Sequence, residues 1–339
     1  MSGVGAARAR IDPARGARVV SRTPLLYRLG ADATLDRPAH VRAGSALGAW
    51  RGHLAVVQDD ASFLAIIDTE RGVVDGVAFP GEPPRQFDDA RRNKKDKLDL
   101  EAVFVTGDGG LLVALGSGSS PLRERVLVVK GPATASPRLT IVHVPELYAK
   151  LRADRAFSGS ELNVEGAALL GDDVVLFQRG NGAPLLEGGS SITPVDATAR
   201  VGLAALLAHL RGAGPPPPLR DVTPWDLGAL EGSGRAARLT FTDGAVHPGG
   251  VLAFLACAED SPDATRDGPV SAVAIGCLDE ATSTCTLGPI LDERGSPLLD
   301  KAEGLALDPD DPKRAFIVTD RDDPQAPSEL LELRLGDAW

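Results

Sequence analysis

SALGAWRGHLAVVQDDASFLAIIDTERGVVDGVAF, Ser45 to Phe79, breaks into short apolar runs separated by turn residues. SALGAW leads through Arg51-Gly52 into HLAVVQDD, then FLAIID, then the turn TERG and VVDGVAF. Each run is rich in aliphatic residues and bounded by Gly or Asp, the pattern of successive antiparallel strands rather than of helices. A four-stranded unit of this kind is the size of one propeller blade, which takes roughly 40 to 50 residues with its connections.

Working outward, the same grammar returns four times. Its starts are marked by Ser45 in SALGAW, Glu101 in LEAVFV, Glu165 in VEGAAL, Asp243 in DGAVHP and Glu303 in EGLALD. The intervals suit a blade with long connections better than a solenoid turn. The last unit, ending in ELLELRL, is one strand short, and ARVVSRTPLL near the N-terminus has no unit of its own. We therefore expect residues 17–28 to complete the last blade, a closure that removes free sheet edges. The expected fold is all-β, a five-bladed β-propeller formed by residues 1–339 as one domain. Six blades would require the 170 to 240 region to hide another. Within that region DATARVGLAALLAHLRG has helical spacing and is followed by PPPP, which predicts a helix inserted near 196–211 with a stiff connector after it.

Composition narrows the function. Among 339 residues the formal net charge is −11, which argues against a nucleic-acid partner because phosphate affinity needs excess Lys and Arg. No uninterrupted apolar stretch of about 20 residues exists, and MSGVGAARAR lacks the apolar core of a secretory signal, so no membrane partner and a cytoplasmic location are expected. Three cysteines and five scattered histidines give no transition-metal spacing. No GxSxG elbow or other nucleophile–base motif is present.

The innermost strand of each blade lines the axis, so the five markers should meet at one mouth of the channel. Convergent carboxylates must hold protons or bind a cation, and oxygen-only ligation selects a hard ion, Ca2+ in preference to Mg2+. Ser45, Glu101, Glu165, Asp243 and Glu303 are the expected metal ligands. The second strand of each blade should end at the same mouth, bringing Asp59, Asp60, Ser117, Gln178, Asn181, Glu259 and Asp320 into a substrate-binding set. The basic segment RQFDDARRNKKDKLD should add Lys95 and Lys97, and Arg179 and Arg321 could clamp an anion. His247 could shuttle protons near Asp243. Each feature has a bland reading as well: capping acids, polar loop tips, a solvated charge run and a turn histidine.

The order Ser, Glu, Glu, polar, Glu at the blade starts resembles the calcium-activated nucleotidase (soluble apyrase) propellers, whose axial calcium is held by Glu and Ser residues. Asp243 stands where that family places Ser. LDLEAVF, NVEGAAL and KAEGLAL are also similar to the bacterial phytase-like esterase and SdiA-regulated propeller group, and short E-G/A motifs recur in lactonases. The resemblance implies a propeller with a central Ca2+. The leading expectation is a Ca2+-dependent hydrolase of a small anionic substrate, a phosphoester or phosphoanhydride, with Glu165, Arg179, Arg321 and His247 as catalytic groups. The alternatives are a noncatalytic ligand- or protein-binding propeller with a structural ion, and a lactonase or esterase.

Overall fold

The computed structural model describes residues 7–133, 136–231, 236–260 and 268–339. Their strands form five four-stranded antiparallel units. The first comprises Gly44–Trp50, His53–Gln58, Phe63–Asp68 and Val73–Ala78, and the second Leu100–Val105, Leu111–Gly116, Arg125–Lys130 and Arg138–His143. The third comprises Val164–Leu170, Asp173–Gln178, Asp196–Gly202 and Arg220–Asp226. The fourth is Ala236–Val246, Leu252–Glu259, Val270–Asp279 and Thr284–Leu291. In the fifth, Lys301–Leu307, Arg314–Asp320 and Glu329–Leu335 are joined by Ala17–Pro24, which pairs antiparallel with Glu329–Leu335. The first strand of each unit touches the first strands of the units before and after it, closing a ring around an axis. This is a β-propeller.

What holds the ring together is visible in the sequence as aliphatic runs without polar alternation. HLAVVQ and FLAIID are buried almost throughout because each central strand packs on both faces. Five apolar clusters result, one between each pair of neighbouring sheets. Between the third and fourth sheets Phe177, Phe241 and Phe254 stack edge to face, with ring centroids 5.3 and 5.2 Å apart. Each such ring contributes on the order of 2 to 3 kcal/mol through burial alone.

Closure by the N-terminal segment goes further than one strand. Ala7–Ile11 lies parallel to the outer strands of the third and fourth sheets, with Ala7 opposite Trp225 and Ala9 opposite Cys285. The chain then passes to the fifth sheet, so one segment covers outer edges of three sheets. Arg22 secures it by bridging Asp300 at 2.9 Å, Glu329 at 2.8 Å and Glu293 at 3.0 Å.

The helix expected near 196–211 is present in the second half of that range. Asp196–Gly202 is the third strand of its sheet, and only Leu203–Leu210 is helical. The alternation Ala197, Ala199, Val201 is buried strand periodicity that runs directly into the helix. A helix at Pro145–Ala153 was not expected. Its buried Leu147, Tyr148 and Leu151 pack against the second and third sheets, and Tyr148 Oη donates to Gly116 O at 2.7 Å.

Near the axis the inner strands approach so closely that small residues are required. A Cβ on Gly304 would lie 2.6 Å from Leu47 N and 2.8 Å from Ala46 C. Gly304→Ala must therefore push two inner strands apart, and we expect a loss of about 1 to 3 kcal/mol in denaturant unfolding. An unchanged midpoint would contradict this packing.

Candidate functional site: a charged mouth on the propeller axis

Every inner strand carries one β-bulge, one to two residues inside the strand in four sheets and midway along Ala236–Val246 in the fourth. The extra residue is Ser45 in the first sheet, Glu101 in the second, Glu165 in the third and Glu303 in the fifth. In the fourth the register shifts between Phe241 and Asp243, so the extra residue is Thr242. The blade-start marker of the fourth sheet is thus corrected from Asp243 to Thr242. A bulge re-aims one side chain out of the pleat, and here it does so at five equivalent places.

The two hydroxyls act alike. Ser45 Oγ donates to Leu100 O at 2.6 Å, and Thr242 Oγ1 donates to Ala302 O at 2.9 Å. Each accepting carbonyl belongs to the residue before a ring glutamate, Glu101 or Glu303. Asp243 does something different. Its Oδ1 accepts from Gly244 N and its Oδ2 from Leu305 N, both at 2.7 Å, and the Leu47 amide is also directed at it. Burial pushes its carboxyl well above the usual range in spite of these donors. Asp243 therefore links inner strands, and its oxygens are spent on backbone.

Arg179 and Lys97 hold opposite sides of the mouth. Arg179, at the end of its sheet's second strand, is only 5% exposed. Its Nη2 lies 2.5 Å from Glu259, its Nη1 3.5 Å from Glu165 and 3.9 Å from Glu303, and its Nε donates to Thr240 Oγ1 at 3.2 Å. The guanidinium expected to clamp an anion is thus occupied by three carboxylates. On the other side Lys97 pairs directly with Asp59, and its Nζ is 3.1 Å from Asp99. Asp59, Asp99 and Glu101 bring carboxylate oxygens within 4.8 Å of one another. Asp99 is further held by Arg123 at 2.9 Å and by a hydrogen bond from Ser117 Oγ.

Burial dominates the electrostatics. It pushes Glu165 up to about 7 against the opposing pull of Arg179, and pushes Asp60 up to about 7 with help from the neighbouring Asp59 charge. Burial, reinforced by Asp59 and Asp99, holds Glu101 well above the ordinary carboxylate range. Burial alone would raise Asp59 too, but the Lys97 ammonium, a hydrogen bond with Asp99 and the charge of Lys301 together outweigh it and leave Asp59 low. Three carboxylate oxygens at the mouth, Asp59 Oδ1, Asp60 Oδ1 and Glu303 Oε2, are buried without a hydrogen-bond partner.

Of the other expected site residues, Asn181 and Asp320 reach the mouth. Asn181 Oδ1 accepts from Asn163 Nδ2 at 3.2 Å, and that same amide donates to Glu165 Oε1 at 2.5 Å. Asp320 Oδ2 is 3.3 Å from Lys301 Nζ, which also faces Glu303 at 3.7 Å. Gln178 is buried, and its amide binds Asn163 N, Glu161 O and Arg179 O, leaving it a strand-end tie like Gln58 in the first sheet. Lys95 is exposed on the short turn Lys94–Asp96. Arg321 is 40% exposed and pairs with Glu329 and Asp300 on the rim of the fifth sheet. His247 lies just past the far end of its inner strand, with Nε2 2.8 Å from Pro312 O, so the structure separates it from the ring.

The sequence reading missed Asp99, Asn163, Thr240 and Lys301. Each lies two residues before a ring residue, and strand periodicity places such residues on the same side. That signal was available: the polar residue ahead of the marker in DLE, NVE, TFT and KAE.

Residues 40–335 match a family of unknown function, DUF6929, and the chain belongs to it. No curated protein matches the chain. Among solved structures, Myxococcus xanthus glutaminyl cyclase is 14% identical with a TM-score of 0.49, the match covering 98% of each chain. A PQQ-bound aldose sugar dehydrogenase from Streptomyces coelicolor is 12% identical with a TM-score of 0.48, covering 95% of this chain and 99% of that one. The mannose phosphorylase MPT-4 from Leishmania mexicana, in complex with phosphate ion, is 14% identical with a TM-score of 0.44, covering 93% and 88%. No helix among the described residues is long and apolar enough to cross a membrane.

The raised carboxyls set a sign for pH. Glu165 moves from 4.5 to about 7 on folding, so folding takes up a proton, and ionisation of this group weakens the fold as pH climbs between those values. Glu165→Gln cannot ionise, so its stability relative to the native protein should rise by on the order of 1 kcal/mol or more between about pH 5 and pH 7.5. Denaturant midpoints of both proteins check this, and a difference that stays flat would refute it.

Proposed function

We propose that this DUF6929 member is a propeller hydrolase that uses a hard divalent cation, Ca2+ in preference to Mg2+, to act on a small anionic substrate of the phosphoester or phosphoanhydride class. The observation that supports it best is the convergence of Asp59, Asp99 and Glu101 at the mouth. Two carboxylates about 4 Å apart repel by about 4 kcal/mol at an effective dielectric near 20, so the group needs positive charge between its members. Oxygen ligands about 2.3 to 2.6 Å from one Ca2+ lie up to roughly 5 Å from each other, which the observed 4.8 Å limit meets. The donor set is all oxygen, as a hard ion requires.

The seat we propose differs from the one expected from sequence. Arg179 already compensates Glu165 and Glu303, so the cation belongs off the axis, with Asp59 and Asp99 beside Glu101. Bound there, the ion would polarise a substrate oxygen and acidify a water. The chain's own groups then divide the remaining work. Glu165, oriented by Asn163 and Arg179 and titrating near neutrality, can hold a proton taken from that water. Lys97 and Lys301 offer positive charge to an anion, and Asn181 offers a polar contact beside Glu165. Arg179 positions Glu165 rather than touching substrate.

The second reading, a noncatalytic binding propeller, is favoured by the occupation of Arg179 by three carboxylates, which makes part of the mouth self-neutralised. Turnover on a panel of phosphoesters, nucleotides and lactones, with and without EDTA, separates the two. We expect EDTA-sensitive hydrolysis of a phosphate substrate, and Glu101→Gln should weaken Ca2+ binding by about tenfold or more in calorimetry. Unchanged Ca2+ affinity in that variant would overturn the seat. Full binding without turnover on any substrate would favour the binding module.

A further inference from the structure

Resting on the reading that the mouth takes a divalent cation, we infer that Lys97 is the resting occupant of that seat. A divalent ion binds by displacing its ammonium, and the freed ammonium then serves as an anion-binding group. Lys97 is where a ligand ion would be. Its side chain is 9% exposed, its Nζ pairs with Asp59 and lies 3.1 Å from Asp99, and oxygens of both carboxylates lie within 4.8 Å of one on Glu101. Paired with two carboxylates at once, the amine sits there as an ammonium cation.

One ammonium does not complete the seat. Lys97 and the Arg123 guanidinium, 2.9 Å from Asp99, face three carboxylates, and Asp59 Oδ1 has no hydrogen-bond partner. Such unpartnered oxygen is what a further unit of charge would satisfy. Ca2+ brings that charge together with a demand for six to eight oxygens, which an ammonium with three donors cannot meet.

Arg179 and Lys97 differ in their freedom to leave. Arg179 projects from a strand end inside a sheet, and its flat guanidinium serves Glu165, Glu303, Glu259 and Thr240 at once. Removing it would take the guanidinium from three buried carboxylates at once. Lys97 follows the short turn Lys94–Asp96, outside every sheet, on a flexible stem. Its departure can be compensated by the incoming ion. Exchange is therefore assigned to Lys97, and it orders events: cation first, anion second.

Calorimetry on the full chain, stripped with EDTA, tests this with Ca2+ and inorganic phosphate as probes. Lys97→Met removes the competitor and should bind Ca2+ about tenfold more tightly than the native protein, with a larger Ca2+-induced rise in melting temperature. Phosphate should bind the native protein more tightly once Ca2+ is present, and Lys97→Met should lose that gain. Lys97→Gln, which keeps a polar group, should show the same directions if the Met variant folds poorly. Native protein that binds Ca2+ alongside variants of equal or weaker affinity would overturn the exchange and leave the cation reading standing. Ca2+ binding by the variants alone would support Lys97 as occupant and overturn the Ca2+-dependent enzyme. No Ca2+ binding by any of the three proteins would overturn both.

Discussion

Carboxylates buried on the axis of a propeller cannot be left with like charges for neighbours, and the mouth of this protein is organised around that constraint. Three ring positions carry glutamate, and the strands around them add Asp59, Asp60, Asp99, Glu259 and Asp320. The chain answers with Arg179 on one side, Lys97 on the other and Lys301 between the fifth sheet's acids. Burial raises Glu101, Glu165 and Glu303 above the ordinary carboxylate range, so these groups hold protons more readily than exposed acids do.

The scaffold fixes the positions of these charges. Inner strands tied across the ring by Ser45, Thr242 and Asp243 have little freedom to spread, and Gly166 and Gly304, beside Glu165 and Glu303, let neighbouring backbones come into contact. Apolar clusters between sheets resist any movement that would open one gap without opening others. The N-terminal segment covers outer edges that would otherwise pair with other chains. Repulsion at the mouth is therefore met by charge compensation rather than by expansion.

The propeller class and the closure of the last sheet by the N-terminal strand were legible because short apolar runs and turn residues are local signals. So was the mouth, because strand order alone puts inner-strand starts and second-strand ends together. Register was not. DGAV imitates EGAA, but the bulge of the fourth sheet falls one residue earlier, and a one-residue slip exchanges Thr242 for Asp243. The fate of Arg179 and Lys97 was also hidden. Whether a basic side chain meets substrate or a neighbouring acid depends on contacts between sheets, such as Arg179 with Glu259, that lie far apart in sequence. His247 and Arg321 looked close to the site by sequence distance, yet strand direction carries one to the far end of the channel and the other to the rim.

The central claim is that the mouth seats one hard cation off the axis, against Asp59, Asp99 and Glu101. Its most direct test is the anomalous-scattering map of crystals soaked in a lanthanide such as Tb3+, which replaces Ca2+ on oxygen ligands. The account predicts a single strong peak at the mouth among those three carboxylates, with Lys97 withdrawn and Arg179 in place. A peak centred on the axis between Glu165 and Glu303, or no peak at the mouth, would contradict it.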